Sequence, residues 1–170
     1  TTFIFTGAYQ IPTRTITDNP RSDIILIDKV IGIGEIAIAD HRSSHPSDYE
    51  LARLASEARV GGLLSGKAGI LHIHVGDGAE GLTSIFLLIQ NTNIPISQFL
   101  PTHLNRNKHL LTHAIRFAKM GGTIDVTSGI SPTLEDSNPY KPSNFIKILI
   151  QEGVPIELIV ICSMGTPSCI

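Results

Sequence analysis

Four strings in the chain hold ionisable side chains in apolar surroundings, where such groups are rarely found without a task. In Gly34-Glu35-Ile36-Ala37-Ile38-Ala39-Asp40-His41-Arg42-Ser43 an acid opens an apolar run and three ionisable groups close it. A lone glutamate in such a run is costly unless it is paired or metal-bound, and a wet strand start is the competing reading. Leu71-His72-Ile73-His74-Val75-Gly76-Asp77 sets two histidines two residues apart. On a strand they share a face, with Cα atoms about 6.6 Å apart. Neutral imidazole is a common zinc ligand, while a hydrogen-bonded strand-end histidine is the alternative, weightier for His72 than for His74.

The third string, Leu100-Pro101-Thr102-His103-Leu104-Asn105-Arg106-Asn107, joins an imidazole to a guanidinium. That pairing suits a metal ligand beside a group that grips a substrate carboxylate in bidentate fashion, and equally a polar helix start. The fourth is Cys162-Ser163-Met164-Gly165-Thr166-Pro167-Ser168. A carboxylate there would complete a hydrolytic metal site, but the sequence supplies methionine. His109 and His113 share a helical face without an HExxH motif, so exposed positions are expected of them rather than ligation. Gly61-Gly62 and Gly121-Gly122 fit neither phosphate-binding glycine pattern, and no serine sits in a G-x-S-x-G elbow.

For these groups to meet, neighbouring parallel strands must carry them. Apolar runs of strand length indeed alternate with helix-period segments, which predicts βα units and a parallel sheet. Strands are expected over Thr2 to Thr6, Ile24 to Asp28, Gly34 to Ala39, Ile70 to Val75, Gln98 to Pro101, Thr123 to Thr127 and Leu158 to Ser163. Ser47 with Glu50 forms a capping box ahead of a helix expected to stop at Gly61-Gly62. Further helices are expected from about Glu80 to Gln90, Lys108 to Met120 and Ser143 to Glu152, with a long polar loop over Ser128 to Ser143. In such folds ligands lie beyond the C-terminal strand ends, where the four strings fall.

The 170 residues suffice for one domain with a sizeable core. A formal net charge of -2 offers no basic field for a nucleic-acid backbone. No apolar stretch reaches the roughly 18 residues of a membrane span, so no membrane partner is expected. Two cysteines, Cys162 and Cys169, form no disulfide framework, and a reducing, cytoplasmic setting fits them. The first residues read as a strand entered midway and the last as a strand without its closing helix. Both ends are therefore expected to belong to a longer chain.

Several words of the sequence together resemble the beta-aspartyl (isoaspartyl) dipeptidases of the amidohydrolase superfamily. They are Phe5-Thr6-Gly7-Ala8-Tyr9, Asp40-His41-Arg42-Ser43, Arg59-Val60-Gly61-Gly62-Leu63-Leu64, Leu100 to Asn107 and Gly121-Gly122-Thr123-Ile124-Asp125. The resemblance covers nearly the whole chain. It implies an α/β fold, the (β/α)8 TIM barrel of metal-dependent hydrolases. Residues 1–170 would supply about six βα units of it, without the first barrel strands or the small β domain.

The resemblance also implies two zinc ions, a small dipeptide substrate and a homo-oligomeric assembly. By it, His74 and His103 are metal ligands from the fifth and sixth barrel strands. Glu35 falls where the family often carries a carboxylated lysine bridging both metals. Tyr9 corresponds to the group that polarises the scissile carbonyl, Arg42 and Arg106 to readers of substrate carboxylates, and Ser168 to a further substrate contact. The implied reaction is zinc-dependent hydrolysis of the isopeptide bond of beta-aspartyl dipeptides by a metal-bound hydroxide. Met164 stands at the position of the family's catalytic aspartate, and a thioether cannot move a proton. The alternative is therefore a catalytically impaired zinc-binding or structural fragment, and the isolated chain is expected to be inactive. His72 is left without a role.

Overall fold

The computed structural model describes residues 2–7, 11–128 and 140–162. Six strands alternate with five helices: β1 (Ile4–Thr6), α1 (Pro20–Leu26), β2 (Val30–Ile38), α2 (Asp48–Ser65), β3 (Ile70–Val75), α3 (Thr83–Asn91), β4 (Phe99–Thr102), α4 (Lys108–Lys119), β5 (Ile124–Thr127), α5 (Pro142–Gln151) and β6 (Ile159–Cys162). Every strand pairing is parallel, in the order β1-β2-β3-β4 and, separately, β5-β6. The two ladders meet through side chains where Thr102 Oγ1 lies 3.3 Å from Thr127 Oγ1. The result is an arc of a (β/α) barrel, as expected.

Alternation along each strand sorts the side chains. Ile33, Ile36, Leu71, Ile73, Phe99, Ile124 and Val126 face outward and are buried with Leu51, Leu54, Ile85, Leu110 and Phe117 of the covering helices. Each such burial is worth about 1.5–3 kcal/mol, enough to seat an amphipathic helix on the strands. His72 and His74, Thr102, and Asp125 and Thr127 take the other face and so line the barrel interior.

Two expectations need correction. Ile24 to Asp28 is not a strand: most of it belongs to α1. The Asn19 side chain accepts from the Ser22 N–H at 3.0 Å and Pro20 occupies the first turn, a helix start that outweighs four consecutive aliphatics. The strand expected over Gly34 to Ala39 begins earlier, at Val30, and is correspondingly longer. The second helix does not stop at Gly61-Gly62 either. It continues to Ser65 and closes on Gly66, which is left-handed at φ 68°. Gly61 and Gly62 are small for packing: a Cβ on Gly61 would lie 3.0 Å from Ile24, and one on Gly62 2.7 Å from Gly69. The polar loop over residues 128–143 lies largely outside the described residues.

Candidate metal centre

Glu35 reaches the interior through an irregularity in β2. Ile33 pairs with Leu71 and Ile36 with Ile73, so Gly34 and Glu35 together oppose His72 alone. This bulge resets the alternation, and Glu35 then shares a face with Ala37 and its partner His74. His74 ends the neighbouring strand on that face. His103 follows β4 at φ 66°, a left-handed conformation unusual for a residue with a side chain, of the kind that collects at functional sites.

The three side chains converge. Glu35 Oε2 lies 3.0 Å from His74 Nδ1 and 3.8 Å from His103 Nε2, and the two rings meet edge-on with centroids 4.5 Å apart. One donor atom from each lies within 4.8 Å of the others, the only cluster of this kind among the described residues. Both imidazoles are buried, while the carboxylate keeps an opening to solvent. The imidazoles of His103 and His74 hold the Glu35 carboxyl well below the usual carboxylate range, against the opposing effect of burial. Burial pushes the His103 imidazole down, toward its neutral form.

This donor set fits zinc. Two imidazole nitrogens and a carboxylate oxygen are ordinary zinc ligands, and three protein donors leave room for a water or a substrate. His103 supplies a specific sign. Its Nδ1 is 2.7 Å from Thr127 Oγ1, while its buried Nε2 faces the cluster with no hydrogen-bond partner among the described residues. A buried nitrogen left so is costly unless something takes its lone pair.

Beyond the cluster, Arg42 and Arg106 line one cavity of about 360 Å³ together with Asp40, Asp77 and Glu80. Arg42 forks onto Asp40, with Nε at 2.9 Å from Oδ1 and Nη2 at 2.8 Å from Oδ2. That guanidinium holds the Asp40 carboxyl well below its ordinary range despite burial. Arg106 Nη1 stands 4.0 Å from Asp77 Oδ1 at the cavity wall. Tyr9, Met164 and Ser168 lie outside the described residues.

The structure thus brings together Glu35, His74 and His103, and puts both arginines in the adjoining cavity. It also gives His72 surroundings: the ring packs on Phe5 at 4.9 Å, with Nε2 3.9 Å from Asp125 Oδ2, one layer below the cluster. His113 is half-buried rather than exposed, and its Nδ1 accepts from the Leu82 N–H at 3.0 Å just ahead of α3. Two residues with no role assigned from sequence touch the triad: Asp40, 2.9 Å from His74 Nε2, and Thr127 on His103. Asn105 fixes Thr127 in turn by bonding its backbone N–H and C=O. Their shared sequence signal was position, at or just past a strand's C-terminal end.

No protein-family model matches the chain. Among solved structures it is similar to beta-aspartyl dipeptidase from the thermophilic, keratin-degrading Fervidobacterium islandicum, with 44% identity and a TM-score of 0.86 over 94% of this chain and 42% of that one. A second structure of that enzyme, in complex with beta-Asp-Leu dipeptide, matches at 43% identity and TM-score 0.85, over 94% of this chain and 41% of that one. The chain therefore spans about two-fifths of the length of the structures it matches.

Proposed function

We propose that this chain, which belongs to the beta-aspartyl dipeptidase family of the amidohydrolase superfamily, provides metal ligands and substrate-reading arginines for hydrolysis of beta-aspartyl dipeptides. The observation that carries the reading is the convergence of Glu35, His74 and His103. Residues 1–170 would be part of a barrel catalytic domain, and Glu35, His74 and His103 would hold zinc, one ion by themselves and two if further ligands join.

Bound zinc would acidify a water and polarise the scissile carbonyl. The chain's own groups would do the rest. Glu35, already held as a carboxylate, brings negative charge to the metal position without a proton to lose. Arg42 and Arg106 share a cavity of about 360 Å³ and would bind a dipeptide's carboxylates in bidentate fashion. Tyr9 would donate toward the carbonyl oxygen as charge develops on it, and Ser168 would add a substrate contact. A small peptide is the partner this charge pattern serves. Assembly as a homo-oligomer and a cytoplasmic setting complete the reading; among the described residues no helix is long and apolar enough to cross a membrane.

A second reading is favoured by one residue. Met164 at the position of the proton-moving aspartate supplies no basic oxygen, so this chain would bind zinc and yet turn substrate over poorly. Both parts are testable on the purified chain. Zinc should bind stoichiometrically by elemental analysis after dialysis, and His103→Ala should abolish it. Hydrolysis of beta-Asp-Leu by the zinc-loaded chain should stay well below ~1 per second, the low end of ordinary turnover. A wild-type chain that retains no zinc would refute the first reading, and turnover near that rate the second.

A further inference from the structure

We propose that Asp40 is a positioning residue of this centre, holding His74 with Nδ1 turned toward Glu35 and His103 while anchoring the Arg42 guanidinium at the cavity. The inference rests on the metal-binding reading of the triad and extends it to a group outside it.

A neutral imidazole has one N–H, and a ligating nitrogen must be bare. His74 Nδ1 is the nitrogen that faces Glu35, so as a ligand it sends the proton to Nε2. Asp40 Oδ2 lies 2.9 Å from that Nε2, within reach to accept it. A carboxylate in this place fixes ring orientation and tautomer and raises the basicity of the opposite nitrogen.

Asp40 is itself held. It lies just past β2, its side chain 3% exposed, and Oδ1 accepts both the Arg42 backbone N–H at 2.8 Å and Nε at 2.9 Å. Oδ2 accepts from Arg42 Nη2 at 2.8 Å as well as facing His74, and that Nη2 itself stands 3.1 Å from His74 Nε2, so carboxylate and guanidinium compete there: acceptance by Asp40 favours the Nε2–H tautomer, donation by Arg42 the other. One buried carboxylate thus has a ligand imidazole on one oxygen and a substrate-reading guanidinium across both. His103 is held differently, by the neutral hydroxyl of Thr127.

The isosteric change Asp40→Asn is informative because of that arrangement. Two Arg42 donors point at the Oδ1 position, so the amide oxygen settles there and its NH2 group faces His74 Nε2. An N–H donor at Nε2 favours the Nδ1–H tautomer, which cannot ligate. Zinc affinity, measured by competition with a chromophoric chelator, should fall about 10–100-fold in D40N. Asp77→Asn, which removes an exposed acid from the same cavity, should change it by less than about threefold. In the zinc-loaded wild-type chain, 1H–15N spectra of the histidines should show His74 as the Nε2–H tautomer, a readout that needs no variant to fold.

A His74 Nδ1–H signal in the zinc-loaded chain, D40N affinity equal to wild type, or an equal loss in D77N would each overturn the role of Asp40. A wild-type chain that binds no zinc would instead overturn the metal reading, and Asp40's role with it.

Discussion

Glu35 keeps its charge because of its neighbours. Oriented imidazoles, one on β3 and one just past β4, outweigh the burial that works against the ion. Glu35→Gln keeps the shape and removes the charge, so zinc affinity should fall by more than the roughly 100-fold that marks the loss of an outer-sphere group. Chelator competition measures it, and an unchanged far-UV circular dichroism spectrum would confirm that the fold is intact. The imidazoles and Glu35 were legible in the sequence because ionisable groups inside apolar runs are anomalies. The roles of Asp40 and Thr127 were not: Asp40 stood out as one of three ionisable groups closing a run, Thr127 not at all, and only the 2.9 Å and 2.7 Å contacts give them meaning.

At the scale of elements, the placement of Glu35 depends on the β2 bulge, and the bulge on Gly34. Gly34 has φ 148°, and a Cβ there would lie 2.6 Å from the His72 carbonyl oxygen and 2.7 Å from the His72 Cβ. Gly34→Ala should therefore cost about 1–3 kcal/mol in urea denaturation and lower zinc affinity as well, because the strand must shift where Glu35 is aimed. Loss of stability with zinc affinity retained would show that Glu35 is placed by something else. The rhythm of elements was readable from periodicity; the bulge was not, for Gly34 marks where a bulge could form but a two-against-one pairing also depends on the partner strand. α1 was misread because Ile24-Ile25-Leu26-Ile27 looks alike in both periods, and the Asn19-Pro20 start decided it. Gly61-Gly62 misled for a related reason: glycine marks a stop and a close approach in the same letter.

Across the whole molecule, a buried carboxylate outside the triad ties the first βα unit together. Asp23 accepts from the hydroxyls of Thr6 and Thr17 and from the backbone N–H groups of Ile16 and Thr17. Burial works to raise its carboxyl, but the donors on Thr17, Thr6 and Ile16 prevail and leave it lowered. A folded-state value below the unfolded one stabilises above about pH 4 and is lost as pH falls through that value. Asp23→Asn should thus lose about 3 kcal/mol at pH 7 and show a flatter acid limb in urea unfolding below about pH 4. The arc also has open margins: among the described residues β1 pairs with β2 alone and β6 with β5 alone, and Phe3, Ile4, Val160 and Ile161 are exposed. Sedimentation should show concentration-dependent association, reduced by Ile161→Lys. Lys67, meanwhile, reaches back about forty residues to the carbonyl oxygens of Ile24 and Ile27 at 2.6 and 2.7 Å. An amine so engaged is shielded from acylating reagents until α1 lifts away, which makes its labelling rate, beside that of any exposed lysine, a native stopwatch for the first opening of the fold.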